Sequence, residues 1–480
     1  MKLSKATVLT LVALVTTGAL CGCNKNDGLD ENAKIEFAPT SDNLPVFFDY
    51  GESKILALDV ESIDAIDGME APDGWSVEIV RDNGLITAAK VTAPKADDED
   101  IDTDGEIELS VANILKTSIK VYTADYTDPY GALVVLEDFN KGALSYIDRY
   151  GRQHDNVFAA ANPEITMGGS LQDLYIKDDK IYLLAQNAAS DGSRLFVCNP
   201  RTMKAEAKSA LDFKSADGAS VWTQHIVVAD NGKAYIQYST TPYETYSGIR
   251  SIELASMTVA PDDIPDTYGT MTAYGATKAR MTYSRGKIYA ARGNSVAVIE
   301  PETDRTTLIP FADRCVKDVT KGADGNIYVL TTGIIKDGKV TTPAVIWSVS
   351  QSTGSATQMA SLGDIVVSEL SYCPNNSMSA SFTSSKIFFI SGTFGDNELC
   401  SFDYATKEVR SDVSQAPDGL LPYGYPAFHP ETGTAYVGYT DYVKTEVVRY
   451  SDPETSFVLP TGPVAGIFFP YMFSDDWTAR

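Results

Sequence analysis

The chain of 480 residues carries 39 Lys plus Arg against 65 Asp plus Glu, a net charge of −26, and is 44% apolar and 10% aromatic. That length exceeds what one hydrophobic core comfortably serves, so two domains are expected, and the composition excludes bulk disorder. So acidic a balance excludes nucleic acid and anionic lipid surfaces as partners, because both are bound through a basic footprint.

Lys2 and Lys5 precede an apolar run, Ala6 to Leu20, that is too short to span a bilayer comfortably. The run ends in Leu20-Cys21-Gly22-Cys23, which resembles a bacterial lipobox. Residues 1–22 read as a lipoprotein signal peptide, with Cys23 as the lipid-bearing first residue of the mature chain and a plain secretory signal as the alternative. A lipid at Cys23 is an anchor and leaves the rest as soluble protein tethered to a membrane. Residues 23–33 form a polar tether. Its Asn24-Lys25-Asn26-Asp27, with Asp30 and Glu31, resembles the acidic signal that sends Bacteroidota lipoproteins to the outer face of the outer membrane. A tether without any addressing role is the other reading.

Residues 34–124 alternate apolar and polar side chains in seven short runs: Lys34–Phe37, Val46–Phe48, Lys54–Leu58, Trp75–Val80, Leu85–Val91, Ile107–Val111 and Ser118–Tyr122. Such spacing predicts a small β-sandwich. The phrases APDGWSVEIV and VTAP resemble the immunoglobulin-like domains that open many Bacteroidota surface lipoproteins, which implies a spacer. Asp100, Asp102, Asp104 and Gly105 have the opening rhythm of a calcium loop, but Val111 stands where the bidentate Glu belongs, so the EF-hand pattern fails. A solvated hairpin loop is the simpler account of residues 97–106.

Residues 125–130 read as a linker, and residues 131–480 as a repeat array. A strand beginning KIY or its equivalent recurs at Lys180, Lys233, Lys287, Asn326, Lys386 and Thr434. Each is followed by a second alternating strand that ends in a polar turn, at Asn199, Leu254, Glu300, Ser350, Asp403 and Ser451, with an earlier copy at Asp148. Successive turns lie 46 to 55 residues apart. Units of about fifty residues, each unable to bury its apolar face alone, predict a seven-bladed β-propeller of four-stranded blades. The run Val464 to Met472 is expected to supply an inner strand that closes the ring.

Catalytic signatures are sparse. The three histidines, His154, His225 and His429, have no metal-ligand spacing with one another or with Cys, and no GxSxG, phosphate-cradling loop or GxGxxG occurs. No cofactor or metal is expected. Ser215-Ala216-Asp217-Gly218 reads as a structural turn. Cys198, Cys315, Cys373 and Cys400 lie in different units without CxxC spacing; Cys198 and Cys400 fall within strands as small buried hydrophobes, and a disulfide between units is the other reading.

Binding is better supported. In propellers the loops that lead into the inner strands gather round the axis, and here they contain Gln172, Asp173, Trp222, Gln224, His225, Arg280, Tyr283, Asp318, Glu369, Tyr423 and Tyr425. Aromatic planes mixed with amides, carboxylates and one Arg suit a planar or sugar-like ligand. The stretch Tyr238 to Tyr246, YSTTPYETY, is expected to be an exposed aromatic loop.

The phrases GALVVLEDFNKGALSYIDR from Gly131, ANPE from Ala161, the repeated KIY strands, PYGYPAFHPETGTAYV from Pro422 and TDYV from Thr440 resemble the YVTN-type surface-lipoprotein propellers of gut Bacteroidota, including cobalamin-capturing lipoproteins. The resemblance covers about 350 residues. It implies a non-enzymatic protein that presents one propeller face to a small nutrient (cobalamin-like, siderophore or glycan) for a TonB-dependent outer-membrane transporter. A propeller hydrolase or lyase acting on a glycan or lactone, and a protein-binding scaffold or adhesin, are the alternatives.

Overall fold

The computed structural model describes residues 29–39, 44–138, 141–241, 246–270, 279–336, 339–367, 377–393, 396–411, 413 and 416–474. The chain divides between Tyr122 and Thr123 into two compact units. Cys23, Glu369 and Cys373 lie outside the described residues. Among the described residues no helix is long and apolar enough to cross a membrane.

The first unit holds two four-stranded sheets. One runs Lys34–Phe37, Ser53–Glu61, Leu85–Thr92, Ser76–Asp82; the other runs Val46–Phe48, Leu115–Thr123, Asp104–Val111, Gly68–Glu70. Inward residues of both sheets, among them Phe48, Trp75, Val91, Ile107 and Val121, form a common core. Trp75 sits edge-on to Phe48, and its indole N–H donates to the Asp102 carbonyl at 2.8 Å. That bond spends the acidic loop on fixing a core tryptophan. Gly68–Glu70 is a strand that alternation misses, because Gly-Met-Glu contains neither a β-branched nor an aromatic residue.

Among the described residues the second unit contains seven antiparallel sheets of four or five strands and one two-stranded sheet, an arrangement consistent with a β-propeller. Each turn marker of the sequence repeat lies in or next to the third strand of one sheet, and each KIY-type phrase lies in or next to a second strand. Burial falls from the first strand of a sheet to the last. Leu171–Lys177 is buried almost throughout, while Ala205–Ser209 has no fully buried residue. The first strands therefore face the axis.

Apolar clusters join sheet to sheet round the unit. Leu184, Ile236 and Ile288 share one cluster, Val298 and Val329 the next, then Leu330 with Phe389, Ile390 with Val437, and Val447 with Val134. Each fully buried aliphatic or aromatic side chain of this kind contributes roughly 1.5–3 kcal/mol. The ring closes through Val464–Phe468, which pairs antiparallel with Ala132–Leu136 from the start of the unit. A second tie comes from the neighbouring sheet: Tyr425 N–H donates to the Ala465 carbonyl at 3.2 Å, and Ile467 N–H to the Tyr425 carbonyl at 3.1 Å. Gly424 makes this approach possible. Its φ is +74°, and a Cβ there would lie 1.9 Å from the Val464 carbonyl oxygen.

Segment 125–130 is fastened to this unit. Tyr126 N–H donates to the Pro200 carbonyl, and Asp128 pairs with Arg149. Tyr238, expected in an exposed loop, is fully buried, with its hydroxyl donating to Asp263 at 2.8 Å, because its strand lies second in its sheet and its side chain faces inward. Residues 242–245 of that loop lie outside the described residues. Ser215–Ala219 is a closed turn, with Gly218 N–H donating to the Ser215 carbonyl at 2.9 Å. Cys198, Cys315 and Cys400 are buried.

Candidate functional site

Four inner strands share a defect at the same level. The ladder skips one residue at Gln172, Gln224, Lys317 and Ala465, a β-bulge in each of four sheets. Bulges re-aim the side chains around them and cluster beside functional sites. Here the residues that follow three of them, Asp173, His225 and Asp318, join Arg280, Tyr425 and Phe468 in one buried cluster. Six sheets contribute one residue each, and sheets that are not neighbours meet only on the axis.

Asp173 is the hub on one side. Its Oδ2 lies 3.2 Å from His225 Nδ1 and accepts the Ile226 N–H at 3.1 Å, while its Oδ1 lies 3.4 Å from Arg280 Nε. The Arg280 guanidinium is held between two rings, its carbon 4.8 Å from the Tyr425 centroid and 4.2 Å from that of Phe468. Stacking of this kind is strongest where water is excluded. The Arg280 backbone N–H donates to the Tyr425 hydroxyl at 2.7 Å.

Asp318 is the hub on the other side. Its oxygens accept the Val319 N–H at 2.8 Å and the Met378 N–H at 2.6 Å, and the Tyr425 hydroxyl donates to it. Burial pushes its carboxyl up to about 8, against the opposing pull of those hydrogen bonds and of the Arg280 charge. Burial thus works against ionisation of a carboxyl whose hydrogen-bond donors and neighbouring guanidinium favour it. Burial likewise drives the Tyr425 phenol well above its ordinary value.

This network floors a cavity of about 90 Å³. Its walls carry the trailing ends of the inner strands, including Tyr175, Tyr283, Lys321 and Phe428, together with Phe382 and Phe473. Phe473 belongs to a single 3-10 turn, Pro470–Phe473, that follows the closing strand. Its ring lies 4.6 Å from Tyr175 and stacks on Phe468 at 6.2 Å, and Tyr471 meets Phe382 edge-on at 5.4 Å. At the rim the Tyr283 hydroxyl donates to Asp230 at 2.7 Å, and Lys177 pairs with the same carboxylate.

The candidate residues therefore divide. Asp173, His225, Arg280, Asp318 and Tyr425 come together on the axis, and Tyr283 stands at the cavity rim. On the leading side, Gln172 donates to Glu137 at 2.7 Å, and Tyr423 donates to the other oxygen of the same carboxylate. Gln224 is buried and donates to Ser239 at 3.0 Å; Trp222 is half-buried. Neither Gln224 nor Trp222 lines the axial cavity. The leading loops were expected to carry the site, whereas the cavity lies at the trailing ends of the same strands. Phe468 and Phe473 escape sequence reasoning, since they sit outside the repeat's leading loops and reach the site only through ring closure. Among the described residues no cluster of His, Cys, Asp and Glu could hold a metal ion.

Fold and site together define a β-propeller with a charged, aromatic-walled axial cavity. The chain belongs to the family described as Domain of unknown function (DUF5074), whose profile matches residues 130–473. No curated protein matches it. Among solved structures it is similar to a quinonprotein alcohol dehydrogenase-like protein from Bacteroides thetaiotaomicron VPI-5482, at 14% identity and a TM-score of 0.53, over 90% of this chain and 99% of that one. It is also similar to an oligogalacturonate lyase in complex with manganese, at 9% identity and a TM-score of 0.43, over 82% of this chain and 95% of that one. At these identities the likeness extends to the fold alone.

Proposed function

We propose that this protein is a cell-surface lipoprotein that captures a small, ring-bearing nutrient in its axial cavity and presents it to a TonB-dependent outer-membrane transporter. The carrying observation is the cavity itself, walled by aromatic side chains above a polar floor. Aromatic walls provide stacking area and a few placed polar groups provide orientation, which is the usual construction of a small-molecule site. About 90 Å³ accommodates roughly one ring, so a macrocycle such as a cobalamin would seat a peripheral group there rather than enter whole.

Capture is favoured over hydrolysis by the carboxylates. Among the described residues Asp173 is the only one lining the cavity, and it is already engaged with His225 and the Ile226 N–H. Glycoside hydrolysis in its usual form requires two carboxylates flanking the bond. The surface role rests on the lipobox at Leu20–Cys23 and the acidic tether that follows it.

A thermal-shift screen of the full chain against cobalamins, haem, siderophores and oligosaccharides tests the reading. A true ligand at a hundred times its Kd stabilises by about 2.7 kcal/mol. The shift should vanish in the Phe382→Ala, Phe428→Ala double variant. Silence across the panel would instead point to a protein partner.

A further inference from the structure

Arg280 is the unspent group of the cavity. Its guanidinium lines the space and lies over the Tyr425 and Phe468 rings, so its hydrogen bonding runs along its edge. The Nε edge approaches Asp173 at 3.4 Å. Asp173 is meanwhile served by His225 and by the Ile226 N–H, so it does not depend on Arg280 alone. The two Nη nitrogens have no protein partner among the described residues, and neither is sealed from solvent as the buried unpaired atoms are.

The surrounding charge points the same way. Lys321, 5% exposed, adds a second cation to the wall, while Asp318 lies behind the Tyr425 hydroxyl and is not part of the lining. In a chain of net charge −26, the cavity lining among the described residues holds Arg280 and Lys321 but one carboxylate, Asp173.

Resting on the capture reading, we propose that the ligand is an aromatic or similarly planar anion, its acidic group seated on the Nη edge of Arg280 and its ring between the aromatic walls. A guanidinium edge offers two parallel N–H donors to a carboxylate, and such charge-assisted pairs are about twice as strong as neutral ones. Ring pre-stacking holds the fork in place before the ligand arrives.

Isothermal titration of the full chain with 4-hydroxybenzoate and with its neutral isostere 4-hydroxybenzamide tests this. The carboxylate should bind at least tenfold more tightly than the amide, and Arg280→Gln should level the two. Equal binding to the wild type overturns the anion assignment and leaves the cavity reading standing; binding of neither overturns both. A preference that survives in folded Arg280→Gln removes Arg280 as the seat. Where that variant does not fold, the wild-type contrast decides, with Arg280→Lys retaining a reduced preference.

Discussion

The Tyr425 hydroxyl accepts the backbone N–H of Arg280 at 2.7 Å, joining two residues 145 positions apart across the propeller axis. The same hydroxyl donates to Asp318, so one oxygen couples three sheets. Tyr425→Phe leaves a buried N–H without its acceptor and should cost about 1–3 kcal/mol. A fall in the denaturant midpoint at unchanged m-value would show it; an unchanged midpoint would mean that the bond adds nothing.

Gly424 and Gly218 both have positive φ, but only the first is crowded. A methyl at Gly424 meets the Val464 carbonyl oxygen at 1.9 Å, while one at Gly218 meets nothing within 4 Å. Gly218→Ala should cost only the left-handed penalty, about 1–2 kcal/mol. Gly424→Ala should cost clearly more, because the backbone of the closing strand must move. Melting curves of the two variants side by side decide it, and equal losses would contradict the account.

Burial raises the Asp318 carboxyl to about 8, whereas an unfolded Asp titrates near about 4. Between those values the folded chain holds one more proton than the unfolded chain, so this group's contribution to stability is full below the unfolded value and is lost as pH rises towards 8. Asp318→Asn removes the titration. Relative to the wild type, the variant should therefore gain stability steadily from pH 5 to about pH 8. Urea titrations at several pH values test the difference, which also cancels the opposite trend of ordinary surface carboxylates. A constant difference would mean that Asp318 is ionised throughout.

Cys23→Ala removes the proposed lipid attachment. The variant should leave the membrane pellet for the soluble fraction. Unchanged fractionation would contradict the anchor.

Much of the propeller was legible in the chain. The KIY strands and the polar turns from Asp148 to Ser451 mark second and third strands because those strands are buried on both faces and demand apolar, β-branched and aromatic residues at each repeat. The closing role of Val464–Phe468 was legible too, as an apolar strand left over after the last unit. The five axial residues all stood among the candidates, yet as members of leading loops, whereas three of them, Asp173, His225 and Asp318, follow bulges in inner strands.

The amino-acid sequence by itself determined the repeat, the β class and which residue types gather near the axis, because those follow from local alternation and period. Only the tertiary structure decided that Asp173, His225 and Asp318 turn inward after bulges, that Phe468 and Phe473 arrive from the end of the chain, and that Tyr238 is core. Contacts across the axis join strands from sheets that are not neighbours. Ring closure and register set them, and no period in the sequence records either.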